Sequence, residues 1–291
     1  MDNILNITSG DIAGATLAKS GVPGEVLVWH DILYDGPRMP GWPDQTILLE
    51  RAEFLENFTG KGLSKQYILQ TLQDQYAKLE TAAGFDGILL WFDACLFDQS
   101  MLCHILACLR HLRIDKVDLI CLDACPGIDP FHGLGQLSPE QFASIIDLRK
   151  PVSQELFCFA ERVDQAFATK DQEIFTELSG SPDAPIPWIP AAVKRWLAEQ
   201  LDPKTGLGLL EKLALEAIAS GCTTPAQIFE YVSKMDTPPN YWGDTTLWVK
   251  INGLAERQPP LVRIEGPMTL LPQWQGIADL KLFRLHLTNV S

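Results

Sequence analysis

The run Leu89-Leu90-Trp91-Phe92-Asp93-Ala94-Cys95-Leu96-Phe97-Asp98-Gln99 decides the fold class of this chain. Large apolar residues in succession suit a strand buried on both faces, with Leu89 and Trp91 on one side and Leu90 and Phe92 on the other. The run stops at a carboxylate, and the Asp98-Gln99 pair then opens a helix that extends to about Leu112. A strand end that feeds a helix start is the place where α/β proteins hold their ligands.

The same alternation recurs on either side of this stretch. Residues 4–8, 24–29, 87–92 and 117–122 read as strands, with helical stretches between them at 11–19, 47–57, 63–82 and 98–112. Strands spaced by helices of that length argue for a parallel sheet covered on both faces. Residues 1–150 are therefore expected to form an α/β domain with a Rossmann-like, mostly parallel sheet.

Beyond the fourth strand, Ser138-Pro139-Glu140-Gln141 has the form of a capping box with proline at the first helical position. Residues 151–203 read as a helical connector, with a stiff, proline-rich piece at 181–190. Residues 204–291 have a different rhythm. Helices at 208–220, 224–234 (opened by Thr224-Pro225-Ala226-Gln227) and 245–257 are followed by a hairpin of 261–265 with 268–271, turning at Gly266-Pro267. Three helices and a hairpin outline a winged-helix-like domain.

With 46% hydrophobic residues the chain can bury a large core, and no run approaches the length of a membrane span. No signal-peptide pattern opens it, and seven cysteines, three of them in or beside one helix, do not form a disulfide framework. A reducing cytoplasm is the expected setting. The net charge of −14 lies almost wholly in residues 1–199. Such a body repels nucleic acid, so DNA contact is disfavoured and confined, if present, to the near-neutral last third. The expected partner is a small molecule, with a protein partner or a second copy of the chain as further options and no membrane.

The strand ends supply the candidate site. Asp93 and Asp98 are candidates for divided acid and base roles, for accepting bonds from sugar hydroxyls, or for holding Mg²⁺; capping of the helix by Asp98 is the plain alternative. His30 is the third catalytic candidate, from the polar loop His30-Asp31-Ile32-Leu33-Tyr34-Asp35 after the second strand. Ser9, Gly10, Asp11, Trp29, Asp31 and Gln99 are candidate ligand-binding residues. No metal ligand set is assigned. His104, Cys108 and His111 share a helix face but read as the flank of a buried stripe, and Cys121, Cys125 and His132 lack a fourth ligand. No nucleotide-binding fingerprint or hydrolase triad motif is present, and no cofactor is indicated.

A family resemblance is carried by the Ser9-Gly10-Asp11 turn after the first strand and by four spaced blocks: Gly24 through Trp29 with Asp31, Leu33, Gly36 and Pro37; Trp91 through Gln99; Gly133-Leu134-Gly135 with Leu137, Pro139, Glu140 and Phe142; and Arg149, Pro151 and Val152. Over residues 1–155 the chain resembles the bacterial domain-of-unknown-function family 1835. The resemblance implies the α/β fold and a helical, winged-helix-like companion, and it names no activity. Where many relatives have Glu-His-Asp, this chain has Asp93-Ala94-Cys95, which removes a carboxylate and an imidazole from the strand end.

Overall fold

In a computed structural model, residues 3–236 and 242–288 are described. The first strand, β1 (Ile4–Ser9), leads into α1 (Asp11–Leu17), and β2 (Glu25–Trp29) follows. A long loop then reaches α2 (Gln45–Phe58) and α3 (Lys65–Glu80), after which come β3 (Gly87–Asp93), α4 (Leu96–His111) and β4 (Val117–Leu122). The five-stranded sheet is completed by the two-residue β5 (Lys150–Pro151), reached through α5 (Pro139–Ser144). Its order is β2-β1-β3-β4-β5, with β1 to β4 parallel and β5 antiparallel to β4. The chain is a mixed α/β protein on a mostly parallel sheet.

The central strand has the two-sided burial its sequence implies. Ile88, Leu90 and Phe92 enter one core, and Leu89 and Trp91 enter the other. On the second side, α1 and α5 cover the sheet, with Phe142 edge-on to Trp91 at 5.7 Å. Close approach of α1 to β2 depends on Gly14, where a Cβ would fall 2.2 Å from Val28 Cγ2. On the first side, α3 and α4 lie against the strands, and α6 (Gln154–Thr169) and α8 (Ile189–Ala198) close over α4.

That outer layer corrects one expectation. His104 and Cys108 do not flank a half-exposed helix, because α4 is enclosed on both sides and both residues are buried. A second correction concerns the helix start. Cys95, with its Sγ accepting from Asp98 N, is the N-cap, so α4 begins two residues before Asp98 and Asp98 lies in its first turn. Ser138 and Thr224, by contrast, form the capping boxes that their sequences imply.

The core of the first side continues without a break through α7 (Gln172–Ser179), α9 (Leu209–Ala219), α10 (Pro225–Met235) and α11 (Asp244–Glu256) to the pair β6 (Val262–Glu265) and β7 (Arg284–Leu287). The strand pairing differs from the expected hairpin. β6 pairs antiparallel with β7, not with residues 268–271. The reason is Asn252, whose side chain donates to Leu271 O at 2.9 Å and accepts from Leu271 N at 2.7 Å. Those bonds take up the backbone groups that a ladder would have used.

Candidate functional site

Strand order reverses between β1 and β3, because the connection from β1 runs to one edge of the sheet and later strands are added on the other side. In open α/β sheets this reversal opens a crevice at the carboxyl ends of the two strands. Ser9 ends β1 there and Asp93 ends β3. The Ser9 hydroxyl donates to Asp98 Oδ1 at 2.5 Å, and the Asp93 amide donates to Asp98 Oδ2 at 2.7 Å. Asp93 in turn accepts from Cys95 N at 2.9 Å and from Leu134 N at 3.3 Å. Gln99 Nε2 donates to the Asp93 carbonyl at 2.6 Å. Ser9, Asp93, Asp98 and Gln99 are thus one bonded group.

Both carboxyls are buried, at 6% exposure for Asp93 and 1% for Asp98. Burial pushes the Asp93 carboxyl up from its ordinary value, with hydrogen bonds from Cys95 and Leu134 opposing the rise. Asp98 is pushed well up by burial and then by the neighbouring Asp93 charge. The Cys95 thiol is pushed up in the same way.

A second pair stands on the rim. His30 Nε2 lies 2.8 Å from Asp11 Oδ1, and both side chains are solvent-accessible. A carboxylate at Nε2 favours the proton on that nitrogen and leaves the lone pair on Nδ1, the form a general base needs. Gly10, at φ 72°, makes the turn that carries Asp11 off the end of β1.

Trp29 and Asp31 are placed elsewhere. Trp29 is fully buried, edge-on to Tyr76 at 5.0 Å. Asp31 is enclosed and bonded by Arg51, whose remaining N–H groups go to the Ile32, Asp35 and Pro37 carbonyls. Arg51 therefore holds the shape of the loop that presents His30.

Gly133 and Leu134 bring the loop after β4 over the carboxyls. At Gly133 φ is +137°, and a Cβ would stand 2.4 Å from Asp93 Oδ2. Gly133→Ala should therefore cost about 1–3 kcal/mol from backbone strain and displacement of the loop. Urea unfolding measures this, and an unchanged midpoint would show that the loop does not rest on Asp93.

Sequence reasoning missed a further buried group. Asp164 on α6 forms an ion pair with Arg38 and lies 3.0 Å from His104 Nδ1, while His104 Nε2 meets the Tyr76 hydroxyl at 2.6 Å. The available signal was Asp164 itself, a carboxylate among Ala160, Val163 and Phe167 on the apolar stripe of α6. Two surface depressions, of about 400 Å³ beside Leu215, Leu261 and Leu287 and of about 230 Å³ beside Lys61, Met268 and Pro272, lie away from the strand ends. All seven cysteines are free.

No family model matches the chain, and no curated protein matches it.

Proposed function

We propose that this protein binds a polar or phosphorylated small molecule at the β1/β3 crevice and carries out hydrolase- or transferase-type chemistry there. The observation that supports this most is the contact of two buried carboxyls at the point of strand reversal. Burying charge is costly, and such groups cluster where a fold does chemistry. The outer His30–Asp11 pair supplies an oriented imidazole, Ser9 and Gly10 supply the turn, and Asp93 and Asp98 supply buried carboxyls at the strand ends. The reading includes a Rossmann-like sheet, a cytoplasmic setting and membership of family 1835. It is tested by a thermal-shift screen against nucleotides and sugar phosphates, repeated on Asp93→Asn. A ligand at a hundred times its Kd adds about 2.7 kcal/mol of stability. A shift in the wild type that the variant loses is the expected result; identical shifts in both would remove Asp93 from the site.

The C-terminal helices with β6 and β7 are read as a winged-helix-like companion that packs on the α/β part instead of reading DNA. Lys250 on helix α11 and Arg257, the residue that caps its end, are both used internally. Lys250 Nζ lies 3.3 Å from Glu199 Oε1, and Arg257 donates to Gly206 O at 3.0 Å. Thr246 on the same helix meets the Tyr34 hydroxyl at 3.0 Å. Phosphate contacts need free Lys and Arg. Duplex DNA should therefore leave fluorescence anisotropy unchanged even at low salt, and binding that weakens steeply with added salt would show a DNA-binding face.

A further inference from the structure

We propose that Asp93, Asp98 and Cys95 form the ligand set of a divalent-cation site of the zinc class, with Gln99 Oε1 completing it. The proposal deepens the reading of the β1/β3 crevice as the functional site and rests on it for its biological meaning, although cation binding itself is tested separately.

The geometry provides the first support. A carboxylate oxygen from each aspartate and the Cys95 sulfur all lie within 4.8 Å of one another, and all three residues are buried. Among the described residues, no Lys, Arg or His side chain forms an ion pair with either carboxylate. Their contacts are each other, the dipoles of three amides, the Ser9 hydroxyl and the Cys95 thiol. Dipoles orient the oxygens without neutralising them, and each oxygen keeps a lone pair. Two carboxylates in a low-dielectric interior stay ionised only beside a counter-charge.

A second, independent observation indicates the sign of the missing group. Gln99 is fully buried, and its Oε1 has no partner. The orientation of this amide is fixed. Nε2 donates to the Asp93 carbonyl at 2.6 Å, and the flipped amide would set two oxygens against each other there. Oε1 is therefore an unsatisfied buried acceptor, on a side chain whose Nε2 is held by the Asp93 backbone. Buried acceptors are satisfied in nearly all native structures. With Cys95 and the two aspartates ionised, every open position in the group is an acceptor, so the group that fits is a cation.

The donor types narrow its class. Calcium takes six to eight oxygens and magnesium keeps several waters, whereas this cluster is enclosed and includes sulfur. Two carboxylates, one sulfur and one neutral oxygen form the four-ligand, mixed oxygen and sulfur set that zinc accepts, and cobalt(II) takes the same places. Cys95 would bind as the thiolate, and its proton and any held by Asp93 and Asp98 would pass to solvent as the ion enters. The path is from the loop side, where the Leu134 amide, at 3.3 Å, makes the longest of the four hydrogen bonds to the carboxylates.

The test uses the full chain, stripped with chelator, reduced, and titrated with cobalt(II) with no organic ligand present. The expected result is one equivalent bound, with a thiolate-to-cobalt charge-transfer band. Cys95→Ser should lose that band, and Asp98→Asn, whose Oδ1 can still accept from the Asp93 amide while its Nδ2 donates to the Ser9 oxygen, should lose the bound equivalent. Cys158→Ser, an exposed thiol, should change neither. No stoichiometric binding by the wild type would overturn the proposal, as would a band that survives in Cys95→Ser. Because no organic ligand is present, cobalt binding without any hit in the phosphate-compound screen would sink the ligand reading and leave the cation site standing. Hits without cobalt binding would do the reverse.

Discussion

Arg51→Met should destabilise the protein by about 3–5 kcal/mol, the cost of leaving a buried charge unpaired. The Asp31 carboxylate has no exposure and Arg51 almost none. Arg51 Nε lies 2.9 Å from Asp31 Oδ2, and Nη1 and Nη2 bind the Asp35, Pro37 and Ile32 carbonyls at 3.1, 2.7 and 3.0 Å. Methionine fills similar volume but satisfies none of these acceptors. The damage should reach function, because the loop held by Arg51 carries His30. Urea unfolding gives the stability, and a loss below about 1 kcal/mol would mean that the pair is solvated in solution.

Asp164→Asn should cost a comparable amount, about 3–5 kcal/mol, because it leaves the buried Arg38 guanidinium without its counter-ion. This variant also has a pH signature. Burial opposes ionisation of Asp164, but the charges of Arg38 and His104 outweigh it and hold the carboxyl below its ordinary value. A carboxyl with a depressed folded-state pKa contributes stability above its unfolded pKa of about 3.9 and loses it as pH falls through the folded value. The gap between wild type and Asp164→Asn should therefore be full at neutral pH and close progressively below about pH 4. A gap that stays constant into acid would show that the carboxylate does not carry the effect.

The parallel sheet was legible because its strands obey one rule. Leu89 and Trp91 against Leu90 and Phe92 can be sorted to two faces from residue type alone, and the structure sorts them that way. The capping boxes at Ser138 and Thr224 were legible for a similar local reason. Partners distant in sequence were not. Periodicity says that Arg51 and Asp31 lie on buried faces, but nothing in it says that they meet. The start of α4 was misplaced because cysteine is a weak signal for a helix cap. The last strand pair was misread because a side chain, Asn252, captured the backbone at Leu271 where a turn seemed sufficient to define a hairpin.

The candidate site divides along the same line. Asp93, Asp98, Ser9 and Gln99 could be placed together because each stands at a strand end or helix start, where topology brings them close. His30 and Asp11 share the rim for that reason too. Trp29 and Asp31 sit beside His30 in sequence, but alternation along the strand and the pull of Arg51 turn both inward. The cover over Asp93 comes from a loop some forty residues later, reached through an amide that any residue type supplies. No side-chain motif announces such a contact, and only the glycine at 133 hints at it.

The most direct test of a ligand site at the β1/β3 crevice is hydrogen–deuterium exchange of the full chain with and without the strongest ligand from the screen. Added protection should appear in residues 9–13, 93–99 and 131–136, with none in 244–256. Protection confined to the C-terminal helices and the β6–β7 pair would contradict the assignment and place the functional surface there.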